Sequence, residues 1–275
     1  MTRRRVANAI AVVVALGTLF PIYWMVLSAV RPRGELDGKP WTSRPNLDSF
    51  ERVLGQAGFG RYLLNSVVVA VSVVVLSAVV AFLAAVAVSR FRFRFRTTIM
   101  VMFLVAQMVP VEALTIPMFF LFRDIGRTVP GVGLNTLGSL VLVQLAFSLP
   151  LAIWMMRGFV AAVPEEIEEA ARVDGASRFR VLWQILFPLV APGLVATSVF
   201  SFITAWNDFV FARTFIIGAT ENQTLPAALQ MFIKPDENDW GGIMAASTLM
   251  TIPVLVFFLF VRRRLASGLG GAIKD

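Results

Sequence analysis

The sequence predicts an all-α integral membrane protein of six transmembrane helices, and three observations carry that reading. Hydrophobic residues fill 57% of the 275 positions and charged residues only 15%, where a soluble domain carries about 25% charged residues. Mean hydropathy is +0.77. Six runs free of charge or nearly so, at 6–30, 62–89, 97–122, 134–156, 181–207 and 241–261, each supply the ~20 residues that cross a bilayer. Helices are the expected form because a lone helix satisfies its own backbone hydrogen bonds in lipid. The whole of 1–275 reads as one transmembrane domain, with a polar loop over 157–184.

Taken in order, the first run follows Arg3, Arg4 and Arg5 but stays uncharged for 25 residues. That exceeds the 7–15 residues of a signal-peptide core, and no A-x-A-like site follows, so it reads as a retained span. The second run ends in the alternating stretch RFRFRFR (90–96), an interfacial turn whose phenylalanines enter the headgroup layer while its arginines meet anionic lipid. The third alone carries an internal charge, Glu112. With the N-terminus inside, the inner segments hold 15 of the 25 Lys and Arg, in clusters that abut the spans. The positive-inside rule therefore places both termini in the cytoplasm. Between the fifth and sixth spans lies a long polar connection, 212–240, of the kind that is functional or disordered.

Several function classes fall away. No cysteine and no histidine occurs, which removes disulfides, thiol nucleophiles and the commonest metal ligands and proton carriers. No G-x-x-x-x-G-K-[ST] phosphate loop is present, so any ATP-driven step needs another chain. The net charge of +8 comes from arginines at span ends, which sets topology and does not indicate nucleic-acid binding.

The most informative stretch is EEIEEAARVDGASRFRVLWQILFPLVAPG, residues 165–193. Pro164 sets a helix start, and Glu165, Glu166, Glu168 and Glu169 crowd the first turns, where the helix dipole favours negative charge. Ile167, Ala170 and Ala171 form a narrow apolar stripe, small enough for a partner's backbone to approach. Gly175 stands where a helix stops in a left-handed conformation. Ser177 caps a second helix that runs into the fifth span, whose entry Pro188 and Pro192 interrupt. Physics alone leaves two readings open, a docking surface or a hairpin lying on the membrane. Four glutamates against an anionic leaflet argue against the second.

These residues carry a resemblance. Glu169-Ala170-Ala171, three residues, Gly175, nine residues, then Ile185-Leu186-Phe187-Pro188 is similar to the E-A-A-x3-G-x9-I-x-L-P signature of binding-protein-dependent ABC importer permeases. Phe187 replaces a leucine and keeps the position apolar. Nearly the whole chain resembles the carbohydrate-uptake, maltose-transporter-like type, in its smaller six-span partner. Matching features include Val109-Pro110, Ile116-Pro117, Leu134-Asn135-Thr136, Pro150, Trp154, Gly158-Phe159, Trp206-Asn207-Asp208-Phe209 and the tail from Gly268.

The resemblance implies a type I importer permease fold in a prokaryotic cell membrane. It implies that 157–184 is a coupling loop docking on an ATP-binding subunit through Glu168, Glu169, Ala170, Ala171, Asp174, Gly175, Ala176, Ile185 and Pro188. It implies a tail contact to the same subunit through Gly271 and Lys274. The implied partners are a second permease chain forming a heterodimer, a dimer of ATP-binding subunits holding ATP and Mg, and an extracytoplasmic solute-binding protein. This chain would then be a transport subunit and no enzyme, binding no cofactor of its own.

A di- or oligosaccharide is the implied cargo. Trp206 offers stacking and Asn207 and Asp208 offer hydrogen bonds. Gln107, Glu112 and Gln144 join them as polar residues within spans, which default to pathways or interhelix bonds. Glycerol phosphate or a polyamine is an alternative cargo, although no span interior holds Lys or Arg. A secondary transporter is the alternative class, and it calls for inverted repeats that the sequence lacks.

Overall fold

The computed structural model describes residues 2–32, 41–42, 44–56, 58–233 and 238–270, which form helices and turns with no β-strand among them. The helices are α1 (Thr2–Ala29), α2 (Asp48–Gly55), α3 (Phe59–Arg90), α4 (Arg96–Ala106), α5 (Val111–Thr128), α6 (Leu137–Ala161), α7 (Glu165–Val173), α8 (Arg178–Leu189), α9 (Ala191–Trp206), α10 (Val210–Phe215), α11 (Leu225–Ala228) and α12 (Trp240–Gly270).

Four of them, α1, α3, α6 and α12, are long and apolar enough to cross a membrane unbroken. Two further segments pass the same test only as bent pairs, α4 with α5 at 103° and α8 with α9 at 73°. Counting each pair as one span gives the six that the sequence predicts. The third and fifth runs are not straight helices, and proline explains why. Pro110 has no N–H to donate, disfavours helical backbone at the residue before it and is itself extended at ψ 132°, and the chain breaks between Ala106 and Val111. Pro192 withdraws a donor at the start of α9, and Val190 turns at φ −90°, ψ 9°. Just before that bend, Val181–Leu186 is wound as π-helix, a form that recurs where a helix does work.

By internal contacts the chain divides into two compact units. One comprises Met1–Leu63 with Ala228–Leu255. In it Arg52 reaches Asp239 at 3.2 Å, and Asp239 accepts the N–H of Gly242, so an ion pair caps the start of α12. The α1 helix is apolar all round from Val6 on and exposed as far as Tyr23, with Ser28 and Ala29 buried at its end, as befits a helix whose solvent is lipid or another chain.

The other unit comprises Leu64–Ala227 with Val256–Asp275. Its core gathers Phe82 and Ala85 of α3, Met100 of α4, Ile153 and Met156 of α6, and Leu186 and Leu194 on either side of the α8–α9 bend. Phe82 meets Phe187 edge-on at 5.3 Å and Trp183 at 5.7 Å, geometries that aromatic rings prefer. Ser77 Oγ donates to Ser201 Oγ at 2.8 Å in the buried seam of α3 and α9, the polar adhesive expected between helices in lipid. This packing fixes the end of α3 and the entry to α8, and between those two ends sits α7.

Candidate functional site

The α7–α8 hairpin is built by two local devices. The first ends α7. Gly175 has φ +83°, the N–H of Ala176 donates to Ala171 O at 2.9 Å, and that of Gly175 donates to Arg172 O at 3.1 Å. That pair of bonds is a Schellman motif, with glycine at its left-handed position. The motif gives the sequence spacing a physical meaning: Ala171 supplies the acceptor and Gly175, four residues on, supplies the turn. The second device starts α8. The Ser177 hydroxyl accepts the N–H of Arg180, the cap that the sequence predicts.

A third contact ties the hairpin to α3. Arg90, the last residue of α3, donates through Nε to Glu168 at 2.7 Å and through Nη2 to Val163 O at 2.8 Å. Glu165 lies 3.8 Å from the same guanidinium. The side chains of Arg90 and Glu168 are 11% and 12% exposed, so the pair is shielded and strongly coupled. Beneath it opens a cleft of about 400 Å³, walled by Val86 of α3 and Phe91 just past its end, Glu169 and Arg172 of α7, and Arg178 and Leu182 of α8.

Of the coupling residues named from the sequence, Glu169, Ala170, Asp174 and Gly175 are exposed, and Ala171 and Ala176 are half-buried within the turn. Ile185 is half-buried on the π-helical segment, and Pro188 is exposed. Glu168 differs from its neighbour: its carboxylate is engaged by Arg90 rather than presented outward. Ile167, Val173 and Phe179 stand 41%, 87% and 73% exposed, an unusual apolar display on a charged hairpin. Gly271 and Lys274 lie outside the described residues.

The residues named for a substrate pathway fall into two places. Gln107 and Glu112 flank the α4–α5 break and are exposed. Glu112 sits in the first turn of α5, where the helix dipole favours its charge. At the far end of α9, Gln144 and Asp208 come together, the Gln144 side chain hydrogen-bonding the Asp208 carboxylate. Asp208 also accepts the N–H groups of Phe211 and Ala212 at 3.2 and 3.0 Å, which starts α10. Burial pushes the Asp208 carboxyl above its usual range, and these three hydrogen bonds oppose the shift without cancelling it. Asn207 is exposed and its amide donates to Ile203 O. Trp206 is buried and stacks on Phe202 at 5.5 Å, so one ring face is already covered within the chain.

Sequence reasoning missed Arg90. It read the residue as one of four arginines that set topology, and no local pattern links position 90 to position 168. It also gave no role to Asn135, whose Oδ1 accepts the backbone N–H groups of Ile217, Gly218 and Ala219.

Residues 77–270 match the family described as the binding-protein-dependent transport system inner membrane component. The chain is similar to the diacetylchitobiose uptake system permease protein DasC of Streptomyces coelicolor, 39% identical over 97% of this chain and 96% of that one. It is also similar to the trehalose/maltose transport system permease protein MalG of Thermococcus litoralis, 33% identical over 96% of this chain and 94% of that one. Its fold is that of a chain in a bacterial ABC transporter involved in the import of the acidic polysaccharide alginate, with a TM-score of 0.76 at 22% identity over 95% of this chain and 96% of the other. The chain belongs to the family of inner membrane components of binding-protein-dependent transport systems.

Proposed function

We propose that this chain is one of two permease chains in a binding-protein-dependent ABC importer, that its cargo is a di- or oligosaccharide, and that 157–184 couples it to a separate ATPase. The relatives named for diacetylchitobiose and for trehalose and maltose, aligned over almost the full chain, support the sugar. The observation that carries the coupling is the α7–α8 hairpin, whose glycine turn, cap and Arg90 tie hold an exposed apolar and acidic face on a short, firmly mounted helix.

In this reading the whole chain acts as a single transmembrane domain with both termini and the hairpin in the cytoplasm. An ATPase dimer, with ATP and Mg, receives Ile167, Glu169 and Ala170 of α7, and the tail at Gly271 and Lys274 touches the same dimer. Closure of the dimer on ATP pushes α7. Arg90 and Glu168 pass the displacement to α3, and the core around Leu186 passes it to the α8–α9 bend. The cavity enclosed with the second permease turns outward, toward a loaded solute-binding protein. Hydrolysis turns it back. The drive comes from contacts that differ between the two states, since a docking that is equal in both shifts nothing.

Gln107, Glu112, Gln144, Asn207 and Asp208 line the sugar path, and Trp206, packed on Phe202, shapes its wall. The 212–240 segment faces outward and meets the binding protein.

The test is isolation of the tagged chain from native membranes in mild detergent with every co-purifying chain identified. A second permease, an ATP-binding subunit and a solute-binding protein are expected. A chain that emerges alone, where a known importer stays assembled, overturns the reading in favour of a self-sufficient transporter.

A further inference from the structure

Asn135 occupies a conformation that side chains avoid, with φ +62°. Left-handed backbone is left mostly to glycine, and asparagine is among the few side chains that tolerate it. Here the side chain has unusual company. Its Oδ1 accepts the backbone N–H groups of Ile217, Gly218 and Ala219 at 2.7, 2.8 and 3.4 Å. Its own N–H donates to Phe215 O at 2.9 Å, and its carbonyl accepts the Asn222 amide at 2.8 Å. One residue ahead of the α6 cap thus gathers both ends of the 215–222 turn.

The same segment is held from a second side. The Asn65 amide donates to the carbonyls of Glu221 and Gln223 at 2.8 and 2.9 Å, and Ser66 Oγ accepts the N–H of Leu225 at 2.8 Å. A polar connection between two spans would ordinarily be mobile. This one has backbone groups bonded by three side chains, Asn65 and Ser66 of α3 and Asn135 just ahead of α6, while Ile217 and Glu221 remain exposed. Preformed and outward-displayed, it suits a partner that docks without ordering a loop at its own expense.

We infer that Asn135 is a positioning residue, whose carboxamide oxygen holds 216–222 as a preformed docking surface for the solute-binding protein. The claim rests on the importer reading above, since only a binding-protein-dependent complex gives the segment that partner. A merely conformational role for Asn135 makes the opposite prediction at one substitution. Asn135→Gly removes the left-handed strain but also the acceptor. Asn135→Asp tolerates the same backbone and keeps an acceptor among three N–H donors.

The experiment has two readouts on the complex purified in detergent. Cleavage after Glu221 by a glutamate-specific protease reports opening of the segment. Asn135→Gly and Asn135→Ala should be cut about tenfold faster or more than the parent, the size expected from losing several backbone hydrogen bonds, and Asn135→Asp should be cut at close to the parent rate. The binding-protein concentration that half-saturates ATPase stimulation should rise by a similar factor in the Gly and Ala variants, with the rate at saturation retained. A Gly variant as protease-resistant as the parent overturns the inference, as does faster cleavage with unchanged half-saturation. A parent complex that no binding protein stimulates strikes instead at the importer reading itself.

Discussion

At the scale of single residues, Gly175 and Arg90 carry the most weight. Gly175 adopts φ +83° with no neighbouring atom within 4 Å of an added Cβ. A side chain there meets no crowding, only the left-handed backbone penalty of about 1–2 kcal/mol, larger for a β-branched residue. Gly175→Val should therefore abolish uptake while leaving membrane abundance near the parent level, as measured by sugar uptake alongside immunoblotting. Arg90→Gln leaves the Glu168 carboxylate shielded and unpaired, a loss of order 3 kcal/mol for such a pair. Uptake should fall at least tenfold. Joining Arg90→Glu with Glu168→Arg should restore a measurable part of it, because the charges are complementary again although the bond to Val163 O is gone. Asp208 gives a pH-dependent prediction. Its native proton affinity is raised by burial, so its contribution to stability is full at low pH and is lost as pH rises through the native value. The melting temperature of Asp208→Asn should gain on the parent as pH climbs out of the acid range, followed in detergent by intrinsic fluorescence.

At the scale of elements, caps and breaks decide the outcome. Ser177→Ala removes the bond from the Arg180 N–H and should weaken the start of α8 by about 1 kcal/mol, seen as faster amide exchange at 178–181 than in the parent. The hairpin was readable from sequence because its determinants are local: a proline before a run of acids, a glycine after the last turn, a serine before the next helix. The Schellman bonds lie five and three residues apart, within reach of pattern reasoning. The bends at Gln107–Pro110 and Val190 were only half legible. Proline marks where a helix is weakened, but the angle depends on how Leu186 and Leu194 pack against α6, a tertiary matter. Arg90–Glu168 and Asn135–Ile217 were illegible, since each joins positions about eighty residues apart with no local signature. Charge patterning accounted for Arg90 too readily as a topology signal, and that reading hid its second role.

At the scale of the whole molecule, a chain with no phosphate loop needs another chain for any ATP-driven step. Family membership agrees with that conclusion, as do relatives that share its full length. Depleting ATP in membrane vesicles should stop uptake, whereas collapsing the proton gradient at constant ATP should not. The natural absence of cysteine also makes a direct test of coupling available without a background. Ala170 is exposed on α7, beside the turn that the account assigns to ATPase docking. The decisive measurement is disulfide cross-linking of Ala170→Cys to cysteines introduced along the groove of the co-purified ATP-binding subunit, with and without ATP. The account predicts a cross-link that forms at this position, shifts its preferred partner residue when ATP is added, and disappears in the Gly175→Val background. An ATPase that co-purifies and works while Ala170→Cys cross-links to nothing on it in either state would contradict the assignment of α7 as the coupling element.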